Sequence, residues 1–537
     1  MAPTLLDCTL RDGGYYNNWD YDRKTVERYL AAVSRAGVDI VEIGFRMPPQ
    51  PTFLGPFAYS TDRYLQTLPI PDDMTVAVMI NADDFIGEDP TDIGRVDALF
   101  SPASESVVSV VRIAAHLKQV ARCKSIATRL VALGYRVILN VMQAGSYLSE
   151  DLTKTASEVA KWEIVEVLYF ADSLGNMDAD SVKATAAAFA AGWDKPIGFH
   201  SHNNRGLAVV NTLAAIEAGA SFVDSTILGM GRGAGNAQTE SLLVELVRRG
   251  ATKYCPEAVF PLALGDFALL QQKYGWGQSL YYYLAAEYGI HPTYIQELVS
   301  DTRYGSEDIL AAINFLRKSG ARSYNADTLT RATLGDNPDA DGTWQASGWA
   351  KGKTVIIVGP GPQGERHLEA VVDFVTQYDP LVLCLNINKS LPPELVSAYV
   401  ACHESRLMIE AHQYGKLHKP LFLPMARVPK DVKGSLGRIE VRDYGMRVMR
   451  GKVEVRPTGC TLPQPLAAAY AIALSIEGGA AKVLLVGFDG YALGDPRQEE
   501  MIEIFEGLHG IASTPSIIAI TPTTYPVIQS SVYEPGL

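Results

Sequence analysis

Short apolar runs alternate with helical patterns through the first half of this chain, and no other feature limits its fold so tightly. The runs are TLLDCTL (4–10), DIVEIGF (39–45), TVAVMI (75–80), SVVRIA (109–114), YRVILNV (135–141), IVEVLYFA (164–171), IGFHSH (197–202) and FVDSTIL (222–228). They are short and rich in Val, Ile, Leu or Phe, as buried strands are. Amphipathic segments lie between them, such as DRKTVERYLAAVSRAG (22–37) and SVKATAAAFAAG (181–192). The strand–helix units recur at a spacing of roughly 30 residues, the size of one βαβ step. Eight such units predict an α/β fold of the TIM (β/α)8 barrel type, with an open doubly wound sheet as the alternative.

The chain has 537 residues, more than one hydrophobic core accommodates, so further domains are expected. Residues 256–320 carry helical patterns, including FALLQQKYG and EDILAAINFLRKSG. The segment GDNPDADGTWQASG (335–348) has the composition of a linker. Strand–helix alternation restarts at KTVIIVGPGPQGERHLEA (353–370). The expected organisation is a barrel over 1–255, a helical extension over 256–330, a linker over 331–351 and a Rossmann-like α/β domain over 352–537.

Composition narrows the partners. With 47% apolar and 20% charged residues the chain reads as globular, and a net charge of −13 argues against a nucleic-acid surface. The six cysteines, Cys8, Cys123, Cys255, Cys384, Cys402 and Cys460, form no CxxC pair, so neither a zinc site nor a disulfide framework is expected. The start shows no signal-peptide pattern, and the apolar stretch at 465–487 is broken by Glu477 and Lys482, which predicts a helix and a strand rather than a membrane span. A cytoplasmic location is expected.

Barrel enzymes place their chemistry at the C-terminal ends of the strands. Those ends carry Arg11 and Asp12 on the first strand, Glu42 on the second, and Asp172 and Ser173 on the sixth. The seventh carries His200 and His202, two residues apart and so on one face of a strand. The eighth runs into the glycine-rich GMGRGAGN, which ends at Asn236. Two imidazoles, a carboxylate and a carbonyl oxygen suit Mn2+, Mg2+ or Co2+ better than structural zinc. A permanent cation at Arg11 beside such an ion would stabilise an enolate.

DCTLRDG, VEIGF, ADSLGNM, GFHSHNNRGLAVVNTLAAIEAGASFVDSTILGMGRGAGN and YGIHPTYIQELV together resemble the DRE-TIM metallolyases, the pyruvate aldolases and HMG-CoA-lyase-like barrels, and among them the 4-hydroxy-2-oxovalerate aldolases. The resemblance covers roughly residues 4–320. It implies Asp12, His200 and His202 as metal ligands, with Asn236 as a fourth. It implies that Arg11 holds the enolate oxygen, that Glu42 orients Arg11, and that Ser173 contacts the pyruvate carboxylate. Asp7 would stand behind the site, and Glu42 and Ser173 can equally be strand-end hydrogen-bond partners. The family has a histidine as proton shuttle shortly after RDG. Here Tyr15 stands in that place, either as a proton carrier or as a packing aromatic. The implied reaction joins pyruvate, or a related 2-oxo acid, to an aldehyde acceptor, or reverses that step, in an enzyme expected to be a homo-oligomer. An acyl-CoA Claisen-type reaction is the alternative within the same barrel group.

In the C-terminal domain Gly359, Gly361 and Gly364 form G-x-G-x-x-G between an apolar run and a helix, a context for phosphate at a helix N-terminus. The next strand ends in Asn386 and Asn388 instead of an acidic residue, which disfavours NAD. IVGPGP, PTGC and LVGFDGY, the last carrying Asp489, resemble weakly the Rossmann-like domains of the motility-accessory-factor and sialyltransferase-like group. That resemblance implies a nucleotide or nucleotide sugar, and a sugar aldehyde as the barrel's acceptor in making a higher-carbon or branched polysaccharide sugar. A docking module without a ligand is the alternative.

Overall fold

The computed structural model describes residues 2–87, 93–301, 303–334, 341–388, 390–428, 430–449, 451–492 and 495–534. The chain divides into two compact units, Met1–Gln296 with Gly320–Ser323, and Glu297–Ser319 with Tyr324–Leu537.

In the first unit eight parallel strands close into a barrel in sequence order. They are β1 (Thr4–Asp7), β2 (Ile40–Phe45), β3 (Thr75–Asn81), β4 (Val110–His116), β5 (Arg136–Met142), β6 (Val167–Asp172), β7 (Ile197–Ser201) and β8 (Phe222–Ser225). β8 pairs with β1 through Thr4–Phe222 and Asp7–Ser225, which completes the ring and excludes the open sheet. The first strand stops at Asp7, and residues 9–12, expected as its end, form a short helix instead. Thr9 is drawn out of the strand because its N–H and hydroxyl both bond Asp7 Oδ1.

Alternation sorts the strands' side chains. Val41, Ile43, Val111 and Leu139 face the surrounding helices, as in Arg23–Arg35, where Val26, Tyr29, Leu30 and Val33 are buried. The Asp22 carboxylate caps that helix by accepting from the Thr25 N–H. Leu6, Ile40, Ala77, Val110, Ile138, Val167 and Phe222 form a separate apolar cluster that floors the barrel interior. Two residues further along the same faces stand Glu42, Arg112, Asn140, Tyr169 and Asp224, and Gly198 is followed by His200. The interior is therefore apolar at the bottom and ionic above.

The second unit holds an eight-stranded sheet, parallel throughout, in the order β13-β12-β11-β10-β9-β17-β18-β19. Its strands are β9 (Thr354–Val358), β10 (Leu381–Leu385), β11 (Ala398–Val400), β12 (Leu421–Phe422), β13 (Val441–Arg442), β17 (Lys482–Val486), β18 (Ser516–Ala519) and β19 (Ile528–Gln529). A small sheet pairs β14 (Gly445–Val448), β16 (Gly459–Leu462) and β15 (Glu454–Arg456). Val355 and Ile357 join one apolar cluster, Ile356 and Val358 another, so both faces of the large sheet are covered. The strand order reverses at β9.

Part of the expected linker, 335–340, lies outside the described residues. Its continuation is core: Ala346 and Ala350 are fully buried, and the rings of Trp344 and Trp349 meet Phe422 at 5.2 and 5.0 Å. No helix among the described residues is long and apolar enough to cross a membrane.

Gly198 shows how tightly the interior is filled. A Cβ there would lie 2.2 Å from the Tyr169 ring, which itself supports the Arg112 guanidinium at 4.4 Å. Gly198→Ala is expected to destabilise the first unit by about 1–3 kcal/mol, measured as a shift in denaturant midpoint.

Candidate active site

Three elements and a bridge converge at and just above the ionic layer. The helix Thr9–Asp12 supplies Arg11 and Asp12, β2 supplies Glu42, β7 supplies His200, and His202 follows β7 in a bridge with Asn236. All six are buried. A carboxylate oxygen of Asp12 and one nitrogen from each of His200 and His202 lie within 4.8 Å of one another. The two imidazole rings stand 5.0 Å apart at 82°. Asn236 Nδ2 donates to Asp12 Oδ2, which leaves Asn236 Oδ1 free, and His202 Nδ1 is likewise buried without a partner. A divalent cation fits this donor set: the unpartnered lone pairs sit beside a carboxylate. Gly231 permits the arrangement, because a Cβ there would fall 2.4 Å from Asn236 Nδ2 and 2.6 Å from Asp12 Oδ2.

Arg11 is held on two sides. Its Nε donates to Glu42 Oε1 and its Nη1 to Asp12 Oδ1, both at 2.6 Å. Its Nη2 is buried and has no partner. Burial alone would lower the guanidinium's affinity for its proton, and the Asp12 and Glu42 carboxylates reverse that. Burial raises the Asp12 carboxyl, but its neighbours, the Arg11 cation first among them, hold it well below the usual range. Burial keeps His202 neutral, as a metal ligand must be.

Two residues that the strand ends did not reveal complete the network. Arg112, on β4, lies 3.2 Å from Glu42 and 2.7 Å from Asp224 on β8. Asp224 Oδ2 is also 2.8 Å from His200 Nδ1. Burial would raise the Asp224 carboxyl, yet Arg112 and His200 pull it down, so it is ionised and His200 Nδ1 carries the hydrogen. That tautomer turns the Nε2 lone pair toward the ion site. Cys8, His200 and Asp224 form an equally close set, but Asp224 is already committed to Arg112 and His200.

The remaining expected residues fall around this centre. Ser173, just past β6, accepts from the Gln143 N–H at 2.9 Å, which leaves its own hydroxyl proton to donate. Asp172 accepts from Asn176 and Met177 N–H groups; burial outweighs them and pushes it up to about 7. Asp7 points outward, to Thr9, Tyr29 and Thr239. Tyr15 packs edge-on against Trp19 at 5.0 Å, with the Arg232 guanidinium 5.6 Å from its ring. Burial raises its hydroxyl, away from the range of a general base. His291, half-buried, is an imidazole that the motif reading passed over; burial and the nearby Arg232 cation hold it down to about 3.

In the second unit Gly361 caps the helix Pro362–Arg366, with Pro362 at its first position and Gly364 buried within it. The Gln363 N–H donates to Asp489 Oδ2 at 2.9 Å, so a carboxylate already occupies that helix N-terminus. Asn388 Nδ2 donates to the Gly359 carbonyl and its Oδ1 accepts from the Ser390 N–H. These groups are spent on bracing the turn.

The HMGL-like family model matches residues 2–258. The chain is 30% identical over 259 residues to the oxaloacetate decarboxylase of Mycobacterium tuberculosis, covering 46% of this chain and 71% of that protein. It is 30% identical over 276 residues to a 4-hydroxy-2-oxovalerate aldolase of Burkholderia thailandensis, covering 50% of this chain and 76% of that one. A solved N-terminal domain from Bacteroides vulgatus, described as an aldolase's, aligns with a TM-score of 0.51 at 31% identity, over 55% of this chain and 96% of that domain.

Asp224→Asn removes the charge that fixes the His200 tautomer. It is expected to weaken Mn2+ binding about 10–100-fold, read by metal titration of the folded protein. Arg112→Met leaves two buried carboxylates short of a cation and is expected to cost about 3–5 kcal/mol of stability, read by denaturation.

Proposed function

The chain belongs to the HMGL-like family through its barrel and is a carbon–carbon lyase, and from that premise we propose that it enolises pyruvate, or a related 2-oxo acid, and joins the enolate to an aldehyde or reverses that step. The observation that carries the reading is Arg11 Nη2, a buried donor with no partner beside the Asp12, His200 and His202 set.

A divalent ion held by Asp12, His200, His202 and Asn236 Oδ1 supplies a Lewis acid for the keto acid, with Mn2+ the best match and Mg2+ or Co2+ substitutes. Arg11 Nη2 donates to the oxygen on which enolate charge develops. Glu42 and Asp12 fix the guanidinium plane, so no reorganisation is needed when that charge appears. The Ser173 hydroxyl donates to the substrate carboxylate. The proton lost from the pyruvate methyl group passes to solvent water; Tyr15, protonated at neutral pH because burial raises it, donates its proton to the acceptor's oxygen and is reprotonated from that water.

The oxaloacetate decarboxylase relative points to a second route to the same intermediate, since loss of CO2 from oxaloacetate also leaves pyruvate enolate. For the second unit we propose a nucleotide or nucleotide sugar as ligand. The barrel's acceptor is then a sugar aldehyde, and its product a higher-carbon or branched sugar for a polysaccharide. Support comes from the parallel sheet, whose strand order reverses at β9.

The test is exchange of the pyruvate methyl protons with D2O, followed by NMR. Chelation should abolish exchange, and Mn2+, Co2+ or Mg2+ should restore it; full exchange in metal-free protein would sink the proposal. Arg11→Lys keeps the charge but loses the planar fork. It should slow exchange by about 100-fold or more with metal content unchanged. An aldehyde screen set against oxaloacetate decarboxylation then separates the two routes.

A further inference from the structure

The second unit contains a cavity of about 700 Å3, within the usual size of small-molecule sites. It opens at the C-terminal ends of β9, β10 and β17, where the strand order of the sheet reverses. In parallel α/β sheets that crevice is where ligands bind.

Three of its polar lining atoms are buried and lack any hydrogen-bond partner: Asn386 Oδ1, Asp489 Oδ1 and His403 Nδ1. A buried polar atom left unpaired costs about 1–3 kcal/mol, so three around one cavity call for a common partner. Two of them are oxygens that can only accept. His403 Nδ1 lies 4.0 Å from Asp308 Oδ1, beyond hydrogen-bond reach. Asn386 is also held at a φ of 54°, a left-handed conformation that few side chains adopt, and this aims its amide from the end of β10. Two cations in the lining are already neutralised. Arg303 is paired with Asp301 and Glu500, and Arg497 with Asp495 while lying 4.1 Å over the Tyr491 ring. The three free atoms therefore ask for hydrogen-bond donors, while Arg406, exposed in the same lining, is a third cation there. The rings of Phe488, Tyr491 and Tyr525 offer apolar faces in the same lining.

We propose that this cavity binds a ring bearing vicinal hydroxyls, either the ribose of a nucleotide or a sugar pyranose, with its hydroxyls donating to Asn386 Oδ1 and Asp489 Oδ1 and its carbon face against the aromatic wall. This rests on the reading of the second unit as a nucleotide or nucleotide-sugar binder, and it moves the ligand's contacts from the turn at Gly359–Gly364 to the cavity floor. His403 Nδ1 takes a third hydroxyl.

The full-length protein is titrated by calorimetry with UMP, CMP, AMP and GMP, with their 2′-deoxy counterparts, and with glucose, galactose and N-acetylglucosamine. At least one ribonucleotide or sugar should bind with a Kd of about 1 mM or tighter. If a ribonucleotide binds, its 2′-deoxy form should bind at least ~10-fold more weakly, because a site built around a hydroxyl rejects the analogue that lacks it. Asn386→Gly keeps the left-handed backbone and removes the amide; His403→Phe keeps the ring shape and removes the nitrogen. Each should weaken binding about 10-fold. The unfolding temperature and the pyruvate exchange of the barrel should stay unchanged. Binding of free sugars alone would support the inference and overturn the nucleotide reading. Equal binding of ribo- and deoxyribonucleotides, or binding untouched by both variants, would overturn the inference and leave the nucleotide reading standing. No binding by any compound at about 10 mM would overturn both.

Discussion

A row of buried charges crosses the barrel interior, and the first unit is arranged to hold it. Asp12, Arg11, Glu42, Arg112 and Asp224 alternate in sign, and the row ends on the imidazole of His200. A lone charge at this depth would cost several kcal/mol, and the inner members of the row meet an opposite charge on either side. The members come from the helix after β1 and from β2, β4, β7 and β8. Only a closed ring sets β8 beside β1 while keeping β4 facing both β2 and β8 across the interior. An open sheet of the same strands would leave Arg112 without Asp224. Closure and electrostatics are therefore one constraint.

Much of that arrangement is legible in the sequence, and what is missed is missed for a physical reason. His200 and His202 announce themselves because i and i+2 share a strand face, and Arg11 and Asp12 because charges follow an apolar run. Arg112 and Asp224 sit inside apolar runs, SVVRIA and FVDSTIL, where a strand-end reading does not look. A signal was present. A strand of a barrel is covered on both sides, so a charge in its middle must have a buried partner of opposite sign, and these two are each other's. The helix at Thr9–Asp12 was not legible, because it depends on Thr9 bonding back to Asp7.

The second unit shows the limits of composition and of short motifs. Residues 341–350 have linker composition, yet Trp344, Ala346, Trp349 and Ala350 are the residues that pack, and their small or polar neighbours mask them. The glycine-rich turn has the strand–turn–helix setting expected of a phosphate cradle. What the motif does not reveal is Asp489, more than a hundred residues later, whose carboxylate takes the helix's free N–H. A carboxylate and a phosphate compete for the same positive end of a helix, so the motif's chemistry is decided by a distant residue.

The unpaired buried atoms of the two units differ in kind, and that difference separates their chemistry. In the barrel a guanidinium donor, Arg11 Nη2, stands beside free lone pairs on His202 and Asn236. A cation for the lone pairs and an oxyanion for the guanidinium would satisfy both at once. In the second unit the free atoms at the cavity floor include two oxygens, with the lining's Arg303 and Arg497 already paired. Oxygens that only accept are satisfied by donors, and hydroxyl groups are neutral donors that come in adjacent pairs on a rigid ring. The barrel site is closed around a row of buried charges, whereas the second unit's cavity presents free oxygen acceptors.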